Sequence, residues 1–261
     1  MLPTPSTSHV AFERIYEPAE DSFLLLDTLS SETEIAFLQQ QFGTTNAGQK
    51  DPPSPFVVEI GTGSGVVLSF VHAHAEIIFG RADILTAGVD VNRYACEATA
   101  QTVKVAQKER AEQEKQHGFY LGNIVGDLTS PFRAGMVDVL IFNPPYVPTP
   151  DLPALPDSVN RITQPSFEDD SHLLALSYAG GADGMETTDR LLDALPHILS
   201  RDRGCAYILL CAQNKPENIK QRMRNRGLEW RAETVGSSGK KAGWEKLQIV
   251  KIWRVPSPPV G

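Results

Sequence analysis

Residues 57–65, Val57-Val58-Glu59-Ile60-Gly61-Thr62-Gly63-Ser64-Gly65, form an apolar run that ends in a glycine-rich turn. The apolar residues Val66-Val67-Leu68 follow it, so the pattern predicts a buried strand, a tight turn and the start of a helix. Glycines permit such a turn and let a ligand approach the backbone closely. The G-x-G-x-G spacing differs from the G-x-G-x-x-G of dinucleotide-binding folds. Glu59, before the first glycine, would repel a pyrophosphate but suits an ammonium group.

A second motif, Asn143-Pro144-Pro145-Tyr146, directly follows the apolar residues 137–142, which we predict to be a buried strand. Asn143 offers a side-chain carbonyl oxygen as an acceptor. Pro144 and Pro145 restrict the backbone, so the nearby carbonyls point in set directions. Tyr146 supplies a flat face for a planar group. The motif therefore indicates a rigid site for an amide or aromatic amine, with a simple proline turn as the alternative.

Two acids stand between these motifs. Asp90 ends the apolar residues 84–89, and Asp127 follows a predicted strand around residues 120–125. An acid at a strand end can accept from two ribose hydroxyls, and Asp127 is placed to accept from an adenine amino group while Leu128 packs on the ring. Either acid alone is more often a helix cap or turn residue. The order of glycine turn, acid, acid and Asn-Pro-Pro-Tyr predicts a methyltransferase that uses S-adenosylmethionine (SAM) as its cofactor.

Alternating strands and helices predict an α/β, Rossmann-like SAM-dependent methyltransferase fold. We expect a mostly parallel seven-stranded sheet with a terminal antiparallel hairpin and helices on both faces. The remaining strands are predicted at residues 205–212, 228–235 and 244–254. Helices are predicted at residues 21–42, 92–116 and 185–195, where Pro196 would end or kink the last one.

One domain, residues 14–255, is predicted, with disordered ends at residues 1–13 and 256–261. Residues 147–184 are rich in Pro, Asp and Ser and directly follow the Asn-Pro-Pro-Tyr motif. A segment of this length in a compact domain is usually functional or disordered. We interpret it as a lid on the substrate side, with a decorative insertion as the alternative.

The composition fits a soluble enzyme. The chain has 261 residues, is 41% hydrophobic, and contains no run of apolar residues long enough to span a membrane. No secretory signal is visible, so we expect a cytoplasmic location, with the nucleus as a further one. We predict no metal site, and we predict that His72 and His74 are surface residues of a helix. We predict that the three cysteines are reduced; a disulfide between Cys205 and Cys211 is the alternative.

The net charge of −8 argues against DNA as the main substrate, because nucleic-acid binding relies on neutralising phosphates. One predicted helix nevertheless carries a basic cluster, which consists of Lys215, Lys220, Arg222, Arg224 and Arg226. A solvated helix face is the first interpretation of this cluster. A contact for ribosomal RNA or for an acidic protein is the second.

Residues 16–27, Tyr16-Glu17-Pro18-Ala19-Glu20-Asp21-Ser22-Phe23-Leu24-Leu25-Leu26-Asp27, resemble the opening signature of HemK-type protein-glutamine methyltransferases of the eukaryotic and archaeal branch. The glycine turn, the Asn-Pro-Pro-Tyr motif and the segment Ala179-Gly180-Gly181-Ala182-Asp183-Gly184, followed by Asp189-Arg190, are similar to that family too. The resemblance covers residues 14–254. It implies an enzyme that methylates the glutamine of the GGQ loop in the eukaryotic class I translation termination factor.

The resemblance also implies roles for individual residues. The expected cofactor contacts are Glu59, Gly61, Asp90, Asp127, Leu128 and Asn143, to which the glycine turn adds Gly63 and Gly65. Ser22, where relatives usually have Thr, and Tyr16 are expected near the methionine end of SAM. Asn143 is expected to hold the substrate amide, which Tyr146 would pack against, while the Pro144 carbonyl accepts an amide hydrogen and Pro145 stiffens the loop.

A partner is implied as well, because relatives in this branch work with a small zinc-binding activator subunit. The third strand of such a fold is normally an edge, and here it is unusually apolar, with Phe119, Tyr120, Leu121, Ile124 and Val125. We expect the activator to cover residues 119–125; cover by helices of the same chain is the alternative. Other functions left open are a protein lysine methyltransferase, a DNA adenine amino methyltransferase and a non-catalytic SAM-binding scaffold subunit.

Overall fold

The computed structural model describes residues 2–44, 51–155, 167–239 and 246–255. Within these ranges the strands are β1 (Phe56–Ile60), β2 (Leu85–Asp90), β3 (Phe119–Val125), β4 (Val139–Phe142), β5 (Cys205–Cys211), β6 (Trp230–Ser237) and β7 (Leu247–Arg254). The helices are α1 (Glu20–Leu29), α2 (Glu32–Phe42), α3 (Val66–Ala73), α4 (Ala75–Phe79), α5 (Arg93–Glu112), α6 (Phe167–Tyr178), α7 (Glu186–Ile198) and α8 (Pro216–Arg224). Short 3₁₀ helices occupy Ala182–Gly184 and Ala212–Asn214.

The strands form one sheet with the order β3-β2-β1-β4-β5-β7-β6. Strands β1 to β5 pair in parallel, and β7 runs antiparallel to both β5 and β6. The predicted fold class is therefore confirmed. The strand order reverses direction between β1 and β4, and ligands of open α/β sheets bind at the carboxyl ends of the strands beside such a switch point.

Helices cover both faces of the sheet and bury two separate apolar clusters. On one face Val58 of β1 belongs to the same cluster as Leu191 of α7. On the other face Val57 shares a cluster with Leu25 of α1 and Phe70 of α3. Successive strand residues point to opposite faces, so a strand that is covered on both sides must be apolar throughout. This explains the unbroken apolar runs of β4 and β5, and the apolar residues of β1 on both sides of the buried Glu59.

Three predicted helices have different boundaries in the structure, and α5 ends at Glu112 where the sequence predicted residue 116. The predicted helix over residues 21–42 is split into α1 and α2, and the Ser31 side chain accepts from the Glu34 amide (3.3 Å) to begin the second helix. Helix α7 continues past Pro196 to Ile198. Ile198 is buried in the core, and this packing favours a last turn that contains the proline over the predicted stop.

The N-terminal residues 2–13 contact helices α3 and α5, although the sequence predicted disorder for residues 1–13. His74 Nε2 lies 2.8 Å from the Pro3 carbonyl oxygen, and His9 Nε2 lies 3.2 Å from Thr102 Oγ1. His74 and His72 are both buried, so the prediction that they are surface residues was wrong. Residues 2–13 are polar and have no periodic pattern, so their sequence did not predict the surface against which they pack. The predicted tail, residues 256–261, lies outside the described residues.

The basic cluster of α8 is largely paired within the chain. Arg222 Nη2 lies 2.8 Å from Asp193 Oδ1 of α7, Arg222 also pairs with Asp189, and Arg226 pairs with Asp193. These ion pairs connect α7 with α8 and with Arg226, which follows it. A contact with RNA would require these arginines to be unpaired. The cysteines of the alternative disulfide, Cys205 and Cys211, are free and lie at opposite ends of β5. Among the described helices, none is long and apolar enough to cross a membrane.

Candidate active site

An open cavity of about 190 Å³ lies at the carboxyl ends of the parallel strands, beside the switch point between β1 and β4. The predicted site residues that line it are Tyr16, Ser22, Glu59, Gly61, Gly63, Asp90, Asp127, Leu128, Asn143 and Pro145. They come from α1, the loop before it and the ends of four strands. Gly65, Pro144 and Tyr146 do not line the cavity. The Tyr146 side chain packs against the apolar cluster that contains Val57, on the sheet.

The glycine turn has the backbone conformation that its composition predicts. Gly61, Gly63 and Gly65 have φ angles of +65°, +51° and +79°, which residues other than glycine rarely adopt. A Cβ atom at Gly65 would lie 2.6 Å from the Thr99 Cα of α5, so the close packing of α3 on α5 requires glycine. At Gly63 a Cβ would meet nothing within 4 Å among the described residues. The turn therefore leaves its backbone open to a ligand.

Two buried acids border this turn. One Glu59 oxygen accepts from the Leu68 amide in the first turn of α3 (2.9 Å), and burial raises the pKa of Glu59 well above its usual range. Asp90 accepts from the amides of Gly63 (3.0 Å) and Asn92 (2.8 Å). Burial raises the pKa of Asp90 to about 6 even though these bonds favour the ionised form. Two desolvated carboxylates at one cavity suit a ligand with an ammonium group and hydroxyl donors.

Asp127 and Leu128 follow β3 at the far end of the cavity. Leu128 adopts a left-handed backbone with φ +49°, an uncommon state for a bulky side chain. The Asp127 carboxylate forms an ion pair with Arg190 of α7, through its Oδ2 atom. Arg190 belongs to the segment that resembles the family, but the sequence predicted no role for it. Asp127 keeps its second oxygen for another donor.

Asn143 projects from the end of β4 and is oriented by an acid of α1. Its Nδ2 donates to Asp21 Oδ2 (3.0 Å), while its Oδ1 is buried, with no hydrogen-bond partner among the described residues. A carboxylate only accepts, so the amide must turn its NH₂ to Asp21 and its oxygen elsewhere. Asp21 also accepts from the Ser22 amide (2.6 Å) and Ser22 Oγ (3.2 Å). Sequence analysis missed this role of Asp21; the only signal was its place in the opening signature.

The predicted lid, residues 147–184, contributes an apolar wall. Leu152, Leu155, Leu173 and Leu176 line the cavity, the last two from α6. Residues 156–166 of this segment lie outside the described residues. The AGG-x-x-G part, which the sequence placed in the lid, packs instead against the backbone of the Asn-Pro-Pro-Tyr motif: a Cβ at Gly180 would lie 2.4 Å from the Pro145 carbonyl oxygen.

Comparisons with known proteins show which proteins the chain resembles. The chain is 34% identical to methyltransferase HEMK2 of Mus musculus over 258 residues, 96% of each chain. It is also 34% identical to the eRF1 methyltransferase catalytic subunit mtq2 of Schizosaccharomyces pombe, over 98% of this chain and 97% of that one. Among solved structures, the Mtq2-Trm112 complex of E. cuniculi matches the fold with a TM-score of 0.52 and 23% identity, over 92% of this chain and 99% of that one. No protein-family model matches the chain.

Proposed function

The chain belongs to the methyltransferase family that includes HEMK2 and Mtq2, and on this premise we propose that it uses SAM to methylate the GGQ glutamine of the eukaryotic class I translation termination factor. The acceptor atom is the side-chain amide nitrogen. The fission yeast relative is named for methylation of this factor, eRF1, which supports the same substrate here.

One observation carries the proposal: a buried acceptor, Asn143 Oδ1, has no partner among the described residues. Asp21 engages the NH₂ of the same amide, so the orientation of the oxygen is set before any substrate binds. An oxygen acceptor recognises an NH₂ group with two hydrogens, such as a glutamine amide. A buried acceptor that stays unpaired costs about 1–3 kcal/mol, so a matching donor is favoured there.

The residues of the cavity fit SAM. Glu59 would hold its ammonium group, Asp90 its ribose hydroxyls, and Asp127 with Leu128 its adenine ring. Ser22 and Tyr16 line the cavity on the α1 side, where we expect the methionine end. When bound, SAM supplies a sulfonium methyl group that is already activated by its positive charge.

The chain's own residues then orient and polarise the substrate. An amide nitrogen is a poor nucleophile because its lone pair is delocalised into the carbonyl. Asn143 Oδ1 would accept one amide hydrogen, which orients the nitrogen and stabilises the positive charge that develops on it. The Pro144 carbonyl, which does not line the cavity in the free chain, would have to turn towards the substrate to accept the other hydrogen. The nitrogen releases one of these protons to water after the transfer. No residue of the chain has to act as a base.

Peptide mass spectrometry tests the proposed reaction. The chain, co-expressed with the zinc-binding activator, is incubated with SAM and the termination factor. We expect one methyl group on the GGQ glutamine with the wild type and with the control Asn225→Ala. Asn225 is exposed and directly follows α8. Asn143→Ala should keep SAM affinity within about threefold but lose transfer by about 100-fold or more. An unmodified glutamine despite SAM binding would redirect the search to lysine and adenine substrates.

The activator subunit is proposed to cover the edge strand β3. Phe119, Leu121 and Val125 are 60%, 59% and 56% exposed, which is high for apolar side chains in a strand. Among the strands that the structure describes, β3 pairs only with β2. This exposure supports cover by a partner over cover by helices of the same chain. The E. cuniculi relative is a complex of Mtq2 with Trm112, which fits a small partner here.

A further inference from the structure

We propose that Asn214 is a positioning residue that sets the backbone of the Asn-Pro-Pro-Tyr motif for methyl transfer. It acts together with the turn of residues 180–184; Asn214 and this turn are called the brace below. The inference deepens the proposed function and rests on it, because it concerns the carbonyl and amide acceptors that would hold the substrate nitrogen.

Asn214 is buried and all of its polar atoms are engaged. Its Nδ2 donates to the carbonyl oxygens of Tyr146 (3.2 Å), Asp183 (3.1 Å) and Gly184 (3.4 Å). Its Oδ1 accepts from the Cys211 amide at the end of β5 (2.8 Å). One side chain thus joins three segments: the strand β5, the 180–184 turn and the last residue of the motif.

The motif needs donors from elsewhere because two of its four residues are prolines. Pro144 and Pro145 have no amide hydrogen, so two of the four residues cannot donate a backbone hydrogen bond that would fix the segment. Its upstream end is held by β4, which pairs with β1 and β5. Its downstream end depends on the brace and on the Val147 amide, which donates to the Tyr178 carbonyl (3.0 Å).

The turn of residues 180–184 approaches the motif so closely that only glycine fits. A Cβ at Gly184, where φ is +68°, would lie 2.0 Å from the Tyr146 carbonyl oxygen. A Cβ at Gly180 would lie 2.4 Å from the Pro145 carbonyl oxygen. The motif backbone is therefore packed against the turn, and any displacement of the turn displaces these carbonyls.

One strained residue lies within the brace, and a second directly follows Asn214. Asp183 and Lys215 have φ angles of +54° and +53°, the left-handed region that non-glycine residues rarely adopt. Such strain costs about 1 kcal/mol or more at each residue and persists only where the surrounding contacts impose it. Here Asn214 donates a hydrogen bond to the carbonyl oxygen of Asp183 and directly precedes Lys215 in the chain. Strain that is maintained next to a reactive segment favours a positioning role.

The test compares three variants with matched controls in the complex with the activator. Asn214→Asp is nearly isosteric and keeps the acceptor for Cys211 but loses the donors to Tyr146; Asn214→Ala loses both. Gly184→Ala pushes on the Tyr146 carbonyl directly. The control Gln213→Ala changes an exposed neighbour in the same 3₁₀ helix. The control Gly135→Ala has a similar φ of +67°, but its Cβ would meet nothing within 4 Å among the described residues.

The readouts are kcat and KM for the termination factor, the dissociation constant of SAM, and the melting temperature. We expect the three variants to lose about tenfold or more in kcat while SAM affinity stays within about threefold, because a small misplacement of the acceptors penalises the reaction and not the cofactor. The controls should match the wild type in kcat, KM and SAM affinity. Gly135→Ala should lower only the melting temperature, because alanine is strained at a φ of +67°.

Either of two results would overturn the inference. The first is a kcat within about twofold of wild type in variants that bind SAM. The second is loss of SAM binding in all three variants, which would assign the brace a general role in folding. If only the Asn214 variants fail to bind SAM, the kcat of Gly184→Ala decides: a loss supports the inference, and a value within about twofold of wild type contradicts it. A wild-type complex that does not methylate the glutamine would instead contradict the proposed function.

Discussion

At the level of single residues, Asp21 determines which end of the Asn143 amide faces the substrate. We expect Asp21→Asn to lower kcat by about tenfold or more, because an amide at position 21 can donate as well as accept and no longer enforces one orientation. SAM affinity should fall by a smaller factor than kcat, since Asp21 acts on the expected cofactor contacts Asn143 and Ser22 and is not predicted to be one itself. Steady-state kinetics with the termination factor measure both effects.

Asp27→Asn is the matched control for this variant. It makes the same change of charge at an exposed position of the same helix, α1. Its kinetics should equal those of the wild type. Equal loss of activity in both variants would point to the net charge of α1 and contradict the orienting role of Asp21.

We expect Asp90 to make cofactor binding depend on pH. Burial raises the pKa of Asp90 to about 6 in the free protein, so the carboxyl is ionised above pH 6 and protonated below it. A protonated carboxyl is a poorer acceptor for ribose hydroxyls. We expect the SAM dissociation constant to be constant at pH 7–8 and to rise below pH 6, by up to about tenfold per pH unit.

Isothermal titration calorimetry between pH 5 and pH 8 checks this prediction. The Asp90→Asn variant should bind SAM weakly and lose the part of the pH dependence that Asp90 causes. Glu59 lies beside Asp90 and also has a raised pKa, so a smaller residual slope is expected in the variant. A wild-type affinity that is the same at pH 5 and pH 7.5 would contradict the prediction.

At the level of elements, a buried ion pair fixes α2 on the sheet. Lys251 Nζ of β7 lies 3.0 Å from both Glu34 oxygens, and the Tyr207 hydroxyl of β5 donates to Glu34 Oε2 (2.7 Å). All three side chains are buried. Removing one partner of such a pair leaves a buried charge without compensation.

We therefore expect Lys251→Met to lower the free energy of unfolding by about 3–5 kcal/mol, measured by urea denaturation. The control Lys108→Met removes an exposed pair with Glu112 (3.8 Å) and should change stability by less than about 0.5 kcal/mol. The double variant Glu34→Leu/Lys251→Met should recover part of the loss, because no buried charge remains. A Lys251→Met protein as stable as the wild type would show that the pair adds nothing to folding.

For the molecule as a whole, the exposed edge strand β3 predicts that assembly depends on apolar contacts. We expect Leu121→Lys to reduce co-purification of the activator by about tenfold or more, because a charge at the centre of an apolar interface must be desolvated without a partner. The melting temperature of the isolated chain should not fall, since the Leu121 side chain is 59% exposed.

Leu228→Lys is the matched control for the edge strand. Leu228 is 94% exposed and precedes β6, at the opposite edge of the sheet. It should not affect co-purification. Undiminished activator binding by Leu121→Lys would place the interface away from β3 and leave the methyltransferase assignment untouched.

Local patterns in the sequence were sufficient for the sheet and for most of the site. The mostly apolar runs of β1, β2, β4 and β5 predicted where these strands lie, because strands covered on both faces are rich in apolar residues. The positive φ angles of the glycine turn followed from its composition. Asn143, Asp90 and Asp127 were predicted because each lies at or just after the end of a strand, and the carboxyl ends of parallel strands face the same edge of the sheet.

Only the tertiary structure decided which polar atoms meet. Asp21 and Asn143 are 122 residues apart, Asp127 and Arg190 are 63 apart, and Tyr146 and Asn214 are 68 apart. Each pair joins two elements whose relative placement depends on packing of the whole core, which no local pattern records. For the same reason the sequence placed the 180–184 turn in the lid, whereas close glycine packing sets it against the Asn-Pro-Pro-Tyr backbone. The sequence thus determined the strands and the reactive motif, and the packing between elements determined how that motif is oriented.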